Sequence, residues 1–393
     1  MKRLLILFLL TYCTSVAFSQ KISISLFNSQ KNQTFVITPV SGNYSIIAGD
    51  KTIPLSLNQI VYVSRSGDSV KVRDMVTHLG TWPRVSIVGQ TDNDVIRMNS
   101  VVPSMPARIY DDNLTFYVDF DRLMTLNIID LDKYIAGVVD AEAGPNAQPE
   151  FYKAQALLVR TYALGHADKH MGEGFNLCDE VHCQAYKGKS IRNEKILQAT
   201  KDTHGMVAVD EENNLIVGAF HANCGGQTAN SGDVWLTNHS YLTSIMDSYC
   251  KGQPSSQWEV RVPMEEWVKF LESKGVKTSN LTADDYPFVS KERRYEYKIN
   301  GVIIPTGDIR SYFKLRSSFF SIDVVSNSIR IKGRGYGHGV GLCQDGAMQM
   351  AKKGRLYPDI IHHYYKGVRI TDYFETVEQD STILHIDENV APH

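Results

Sequence analysis

Residues 134–145 read Tyr-Ile-Ala-Gly-Val-Val-Asp-Ala-Glu-Ala-Gly-Pro, and residues 153–162 read Lys-Ala-Gln-Ala-Leu-Leu-Val-Arg-Thr-Tyr. The first run predicts a short apolar helix that stops at Gly144-Pro145. The second predicts a longer helix beginning just after Asn146, with Pro149 in its first turn, where a missing N–H costs little. Tyr152, Ala156, Val159 and Ala163 recur at spacings of three and four, so one face of that helix is apolar. Glu142 lies on the seam between the two, with Ala141 and Ala143 on either side. A carboxylate in the last turn meets the negative end of the helix dipole. Partial burial acts in the same direction, against the ionised form. Both push the acid toward a pKa suited to general acid work. The competing reading is a solvated glutamate at a helix end.

Outward from this stretch, the elements mix without regular alternation. Residues 20–104 hold short period-two runs separated by Gly, Asn, Asp and Ser, which predict a small β-rich region. Residues 108–118 read as a hairpin turning at Asp112-Asn113, followed by a strand over 123–129, and Asp130 is placed to cap the helix from Leu131. A second hairpin is expected around Asn213-Asn214. A helix with Pro263 at its start, strands over 293–304 and 319–331, and helices over 342–353 and 358–366 complete the pattern. The expected fold class is α+β. The expected division is 1–19, 20–104 (β-rich), 105–375 (the mixed domain) and 376–393 (a tail).

The chain has 393 residues, 43% of them hydrophobic, and a formal net charge of -2. That length supports a large core, and the near-neutral balance gives no electrostatic reason to expect nucleic acid. Residues 1–19 read as a secretory signal: Lys2 and Arg3, the apolar run Leu4 to Leu10, then Ala17-Phe18-Ser19 as a cleavage site. The apolar run is short for a membrane span, and no later stretch is long and apolar enough. The mature chain is therefore expected to be exported, to a periplasm or outside the cell. Its cysteines would be Cys178, Cys183, Cys224, Cys250 and Cys343, an odd number for an oxidising compartment.

Three further groups carry chemistry. Cys178, His182 and Cys183 supply two sulfurs and an imidazole within six residues, and His170 upstream completes a Cys2His2 set suited to zinc. Four protein ligands leave no open position, so such a zinc would be structural. A Cys178–Cys183 disulfide is the alternative. His221-Ala-Asn-Cys-Gly-Gly-Gln-Thr228 follows a strand. Gly225 and Gly226 allow close backbone approach, and His221 and Thr228 offer donors and acceptors. Cys224 can be read as a nucleophile with His221 as its base, but a Cys224–Cys250 disulfide suits the compartment better. Last, residues 333–347 place glycines at 333, 335, 337, 339 and 341 around Tyr336 and His338, with Gln344 opening a helix. This loop lacks the features of a phosphate-binding loop, and it suits the close approach of a polymer or a tight packed turn.

Together these stretches resemble the stage II sporulation protein D family, the SpoIID/LytB domain, over about residues 105–372. The matching pieces are residues 134–139 with Glu142, the 153–162 helix, residues 183–188 and His221 with residues 225–228. Residues 335–341 with 344–347, and residues 363–367, complete them. The resemblance implies a lytic transglycosylase that cleaves peptidoglycan glycan strands, preferably peptide-free ones, between N-acetylmuramic acid and N-acetylglucosamine. It implies Glu142 as the catalytic acid, and zinc held by His170, Cys178, His182 and Cys183. Gln184, Tyr186, His221, Gly225, Gly226, Thr228, Tyr336, His338 and Gln344 would be contacts to the strand. Cysteines at 224 and 343 stand where family members often have serine. A relative on another branch enhances a cell-wall amidase without cutting glycan. That gives a second expectation: a glycan-binding partner of an amidase.

Overall fold

A computed structural model describes residues 20–377. The expected signal segment 1–19 and nearly all of the expected tail 376–393 lie outside the described residues. The fold is α+β. Two sheets lie face to face, antiparallel except for one short parallel pair between Leu177–Cys178 and Lys21–Ser25. The first has seven strands, in the order Leu177–Cys178, Lys21–Ser25, Arg122–Asp130, Asn113–Asp119, Arg84–Gly89, Tyr44–Ala48 and Lys51–Leu55. The second has six: Arg108–Asp111, Val95–Val102, Thr34–Ser41, Val61–Ser66, Ser69–Arg73 and His78–Trp82. Alternation along the strands puts one set of side chains inward: in Thr34–Ser41, Phe35 and Ile37 are fully buried while their neighbours are not.

Three helices follow: α1 (Leu131–Ala143), which packs on the first sheet, and α2 (Pro149–Gly165) and α3 (Glu194–Asp202), which pack on α1. Asp130 caps α1, its side chain accepting the Lys133 N–H. Gly144 ends α1 at a positive φ of 69°, a conformation that disfavours any side chain. α2 is the central rod, with Phe151, Tyr152, Leu157, Leu158 and Val159 all fully buried. Each such side chain contributes roughly 1.5–3 kcal/mol of burial. α2 packs on α1 and α3, and also on two later helices, α6 (Gln344–Lys352) and α7 (Tyr357–Tyr364). Between them, α4 (Met264–Ser273) and α5 (Thr306–Tyr312) belong to a lobe with its own core around Trp267, Phe270, Tyr297 and Ile331. The lobe leaves and rejoins the main body side by side, because strand Gln257–Pro263 pairs with Ser328–Arg334.

Two expected hairpins take another form. Residues 108–111 and 113–119 belong to different sheets, so Asp112 is a crossing point, at φ 60°. Its carboxylate accepts the Asp130 N–H at 2.7 Å. The true hairpin is 113–119 with 122–130. Around Asn213-Asn214 only the bridge Val209–Leu215 forms, and strand Met206–Val209 pairs instead with Arg369–Asp372. Strand pairing also runs across the expected division at 104/105. Lys21–Ser25 pairs with both 122–130 and 177–178, and a single core spans the two parts.

Candidate functional site

Glu142 lies in the last turn of α1 and is half-buried. Its Oε1 accepts the Ala185 N–H at 3.1 Å. Desolvation pushes its carboxyl above the usual range, with the Ala185 N–H and the Lys187 charge acting in the opposite direction. The neighbouring acid Asp140 is committed elsewhere, to Arg192 at 2.7 Å.

The Ala185 donor is placed by the segment that wraps α1. Gly188 sits at φ 100°, where a Cβ would come within 2.2 Å of Ile109 O. Gly137 lets the same segment lie directly on α1: a Cβ there would meet Gly188 O at 2.4 Å and the Tyr186 ring at 2.5 Å. Tyr186 is fully buried and donates to Asn127 Oδ1 at 2.8 Å. It packs on Tyr134 and Tyr110. Gln184 is 4% exposed and receives the Tyr134 hydroxyl at 3.4 Å. Both were expected to contact a ligand. They are core residues that set the path of the Ala185 segment, because a buried polar group is held by its partners inside.

The expected metal ligands come together. Ligand atoms of His170, Cys178, His182 and Cys183 all lie within 4.8 Å of one another. Cys183 Sγ is 3.4 Å from His170 Nε2, and His182 Nδ1 is 3.8 Å from each sulfur. Those spacings match the roughly 3.5 Å edges of a tetrahedron built from zinc–sulfur and zinc–nitrogen bonds. His170 Nδ1 meets Glu173 Oε1 at 2.5 Å, the outer carboxylate that orients a ligating imidazole. The donor set therefore fits zinc. Its anchorage is double: Cys178 lies in the strand paired with Lys21–Ser25, and Cys183 is two residues before Ala185. Glu173, three residues after His170, was legible in spacing but was not picked out.

A second group gathers where residues 220–229 run beside 335–343. Strand Phe220–His221 pairs in parallel with Leu342–Cys343, and Asn223 bridges to Tyr336. His221 is 4% exposed, and its Nδ1 meets Val340 O at 3.0 Å while Nε2 is buried without a partner. Burial and the nearby charges of His338 and Arg293 hold its pKa well below the usual imidazole value. His338 is also held down, to about 4, chiefly by burial. It accepts the Val340 N–H on Nδ1 and donates from Nε2 to Phe220 O at 3.0 Å. Its ring touches Trp235, which the sequence reading missed. Tyr336 is half exposed, with the Arg316 guanidinium 5.8 Å from its ring centroid. Gln344 is nearly buried, with its Nε2 unpartnered.

The other expected contacts in this group are internal. Thr228 is 1% exposed, with its hydroxyl accepting the Ile245 N–H at 2.8 Å. Gly225 is required by packing, since a Cβ would lie 2.8 Å from the Arg334 carbonyl carbon. Gly226, also buried, sits at φ 99°. The expected Cys224–Cys250 bond is not formed: the sulfurs are 3.3 Å apart.

A family model described as stage II sporulation protein matches residues 120–209, which include Glu142 and all four residues of the metal cluster. An uncharacterised protein of Brachyspira hyodysenteriae is 32% identical over 269 residues, 67% of this chain and 73% of that one. Stage II sporulation protein D of Bacillus amyloliquefaciens is 31% identical over 264 residues, 62% of this chain and 75% of its own length. The amidase enhancer of Bacillus subtilis is 25% identical over 292 residues, 61% of this chain and 40% of its own. By these matches, carried on the helices and the cysteine–histidine segment just described, the chain belongs to the stage II sporulation protein D family.

Proposed function

We propose that this protein is an exported lytic transglycosylase that cleaves peptidoglycan glycan strands to 1,6-anhydro ends, with Glu142 as the acid and then the base. The observation that carries the reading is the setting of Glu142: half-buried, raised by desolvation, and held by a backbone N–H rather than an arginine. Such a carboxyl holds its proton to higher pH than an exposed glutamate does and can give it to the glycosidic oxygen. The carboxylate left behind then takes the proton of the same sugar's C6 hydroxyl as that oxygen attacks C1. The C1–O bond to the leaving sugar breaks and an internal C1–O6 bond forms, so no water is consumed. An ordinary glycosidase needs a second carboxyl to activate water or form a covalent adduct; internal attack removes that need. Tyr336 supplies an exposed aromatic edge for the strand, and His338, both ring nitrogens held by the backbone, shapes the loop that presents it.

Zinc, when bound by His170, Cys178, His182 and Cys183, supplies rigidity, since four protein ligands leave no position for substrate. The cluster lies two residues from Ala185 and fixes the N–H that steers Glu142. The test is digestion of purified peptide-free glycan strands with product analysis by mass spectrometry. Anhydro ends from the wild type and none from Glu142→Gln are expected; hydrated ends would overturn the transglycosylase reading. The likeness to a protein named amidase enhancer favours one other reading, a glycan-binding partner of a cell-wall amidase. Intact strands that stay bound to the protein would establish that reading instead.

A further inference from the structure

We propose that Cys224, Asp247, Cys250 and Cys343 form a second zinc site, structural in role and separate from the histidine–cysteine cluster. Their ligand atoms all lie within 4.8 Å of one another, and all four residues are buried. Cys224 Sγ is 3.3 Å from Cys250 Sγ and 3.3 Å from Asp247 Oδ2. Both lie a few tenths of an ångström inside the tetrahedral edges of about 3.5–3.8 Å that zinc–carboxylate and zinc–thiolate bond lengths produce. Three sulfurs and one oxygen are a donor set that selects zinc over harder cations.

The surroundings are built for ligands rather than for apolar packing. Cys343 caps α6, and its sulfur receives the N–H groups of Cys224 at 3.2 Å and Gly346 at 3.4 Å. These two backbone donors fix the position of the sulfur beside the other three ligand atoms. The Asp247 carboxylate is oriented by the Tyr249 N–H at 2.8 Å and the Tyr364 hydroxyl at 3.1 Å. That is the outer-shell support ligating carboxylates receive. Gly346 leaves the space: a Cβ there would lie 2.2 Å from Tyr364 Oη and 2.4 Å from Asp247 Oδ2. On binding, each ligating thiol loses its proton to solvent, and the nearby guanidinium of buried Arg293, bonded to Cys224 O at 2.8 Å, offsets part of the negative charge.

A Cys224–Cys250 disulfide accounts for two of these groups and leaves a buried thiol beside a fully buried carboxylate, an expensive arrangement. A zinc ion accounts for all four. It also resolves the odd cysteine count, since two sulfurs in one cluster and three in the other use all five described cysteines. The site would staple the 221–229 loop, the 243–250 loop and the start of α6, all outside the region matched by the family model.

The test is metal analysis of the full chain, produced with zinc and without chelator, together with peptide mapping without reduction. About two zinc ions per chain are expected from two closed four-ligand sites. Cys343→Ser and Cys250→Ser should each lower the content by one, while Cys183→Ser removes the other. Should these variants fail to fold, wild-type protein reloaded with cobalt reads the same question: thiolate-to-cobalt absorption should reflect five sulfurs rather than two. A Cys224–Cys250 disulfide peptide, or zinc content unchanged by Cys343→Ser, overturns the site.

Discussion

At the scale of single residues, one acid and one imidazole make testable claims. Glu142→Gln keeps the shape and the Ala185 N–H contact but cannot exchange a proton. Strand cleavage should fall by about 10²–10⁴-fold, the usual worth of a general acid or base, while thermal unfolding shows the variant folded. Because desolvation raises the folded pKa of Glu142, cleavage should persist at low pH and decline as pH rises through that raised value. Its stability term has the same sign: present at low pH and lost as pH rises through the folded pKa. His338 has the opposite sign. Its folded pKa is held down to about 4 by burial, with Arg310 and Arg293 adding to it. It therefore favours folding above its ordinary unfolded value and loses that favour as pH falls toward 4. Melting temperature should drop over this window, and His338→Gln should flatten the slope. Glu142 was legible in sequence as a lone acid between alanines at a helix end. Its partner was not, because the donor is a backbone N–H that any residue but proline at 185 would supply. The burial of Tyr186 and Thr228 was not legible for a related reason: a motif hydroxyl looks alike in sequence whether it faces solvent, a buried asparagine as at Tyr186, or a backbone N–H as at Thr228.

At the scale of elements, local signals were read well and pairings less so. Asp130 as a cap, Pro149 in a first turn and the Gly144 stop are set within a few residues, and all three hold. The Asp112 and Asn213 turns were read as hairpins because the turn chemistry is genuine. Which strand each arm joins is decided by distant partners, Val95–Val102 and Arg369–Asp372. The element contact with most consequence is the one between α1 and the 183–188 segment. Glycine inside a helix ordinarily costs about 1 kcal/mol relative to alanine, so Gly137→Ala would stabilise an open helix. Here the added methyl meets Gly188 O at 2.4 Å and the Tyr186 ring at 2.5 Å, and overpacking of that kind costs about 1–3 kcal/mol. Denaturant midpoints should show a loss, with cleavage lowered through the displaced Ala185 N–H. Gly172→Ala, where a Cβ meets nothing within 4 Å, is the matched control and should change stability by less than about 0.5 kcal/mol.

At the scale of the whole molecule, the β-rich residues 20–104 are woven into the body that carries Glu142. Sequence pattern identified the strands, but a change of character near residue 105 looked like a boundary because strand order cannot be read from alternation. Lys21–Ser25 is an inner strand: 122–130 lies on one side and 177–178 on the other. Through it the first residues of the described chain hold Cys178, and the Asp179 carboxylate receives the Phe27 N–H at 3.0 Å. Phe35 packs against Phe116 with ring centroids 6.1 Å apart, across the two sheets. A chain starting at residue 105 would expose the inner faces of strands 113–119 and 122–130, and both edges that Lys21–Ser25 closes. Exposed apolar strand edges pair with other chains. The shortened chain should therefore be insoluble or lack a cooperative melt, and should fail to retain zinc at His170, Cys178, His182 and Cys183. A fragment that melts cooperatively and keeps the metal would show that residues 105–377 stand alone, and that the N-terminal strands only decorate them.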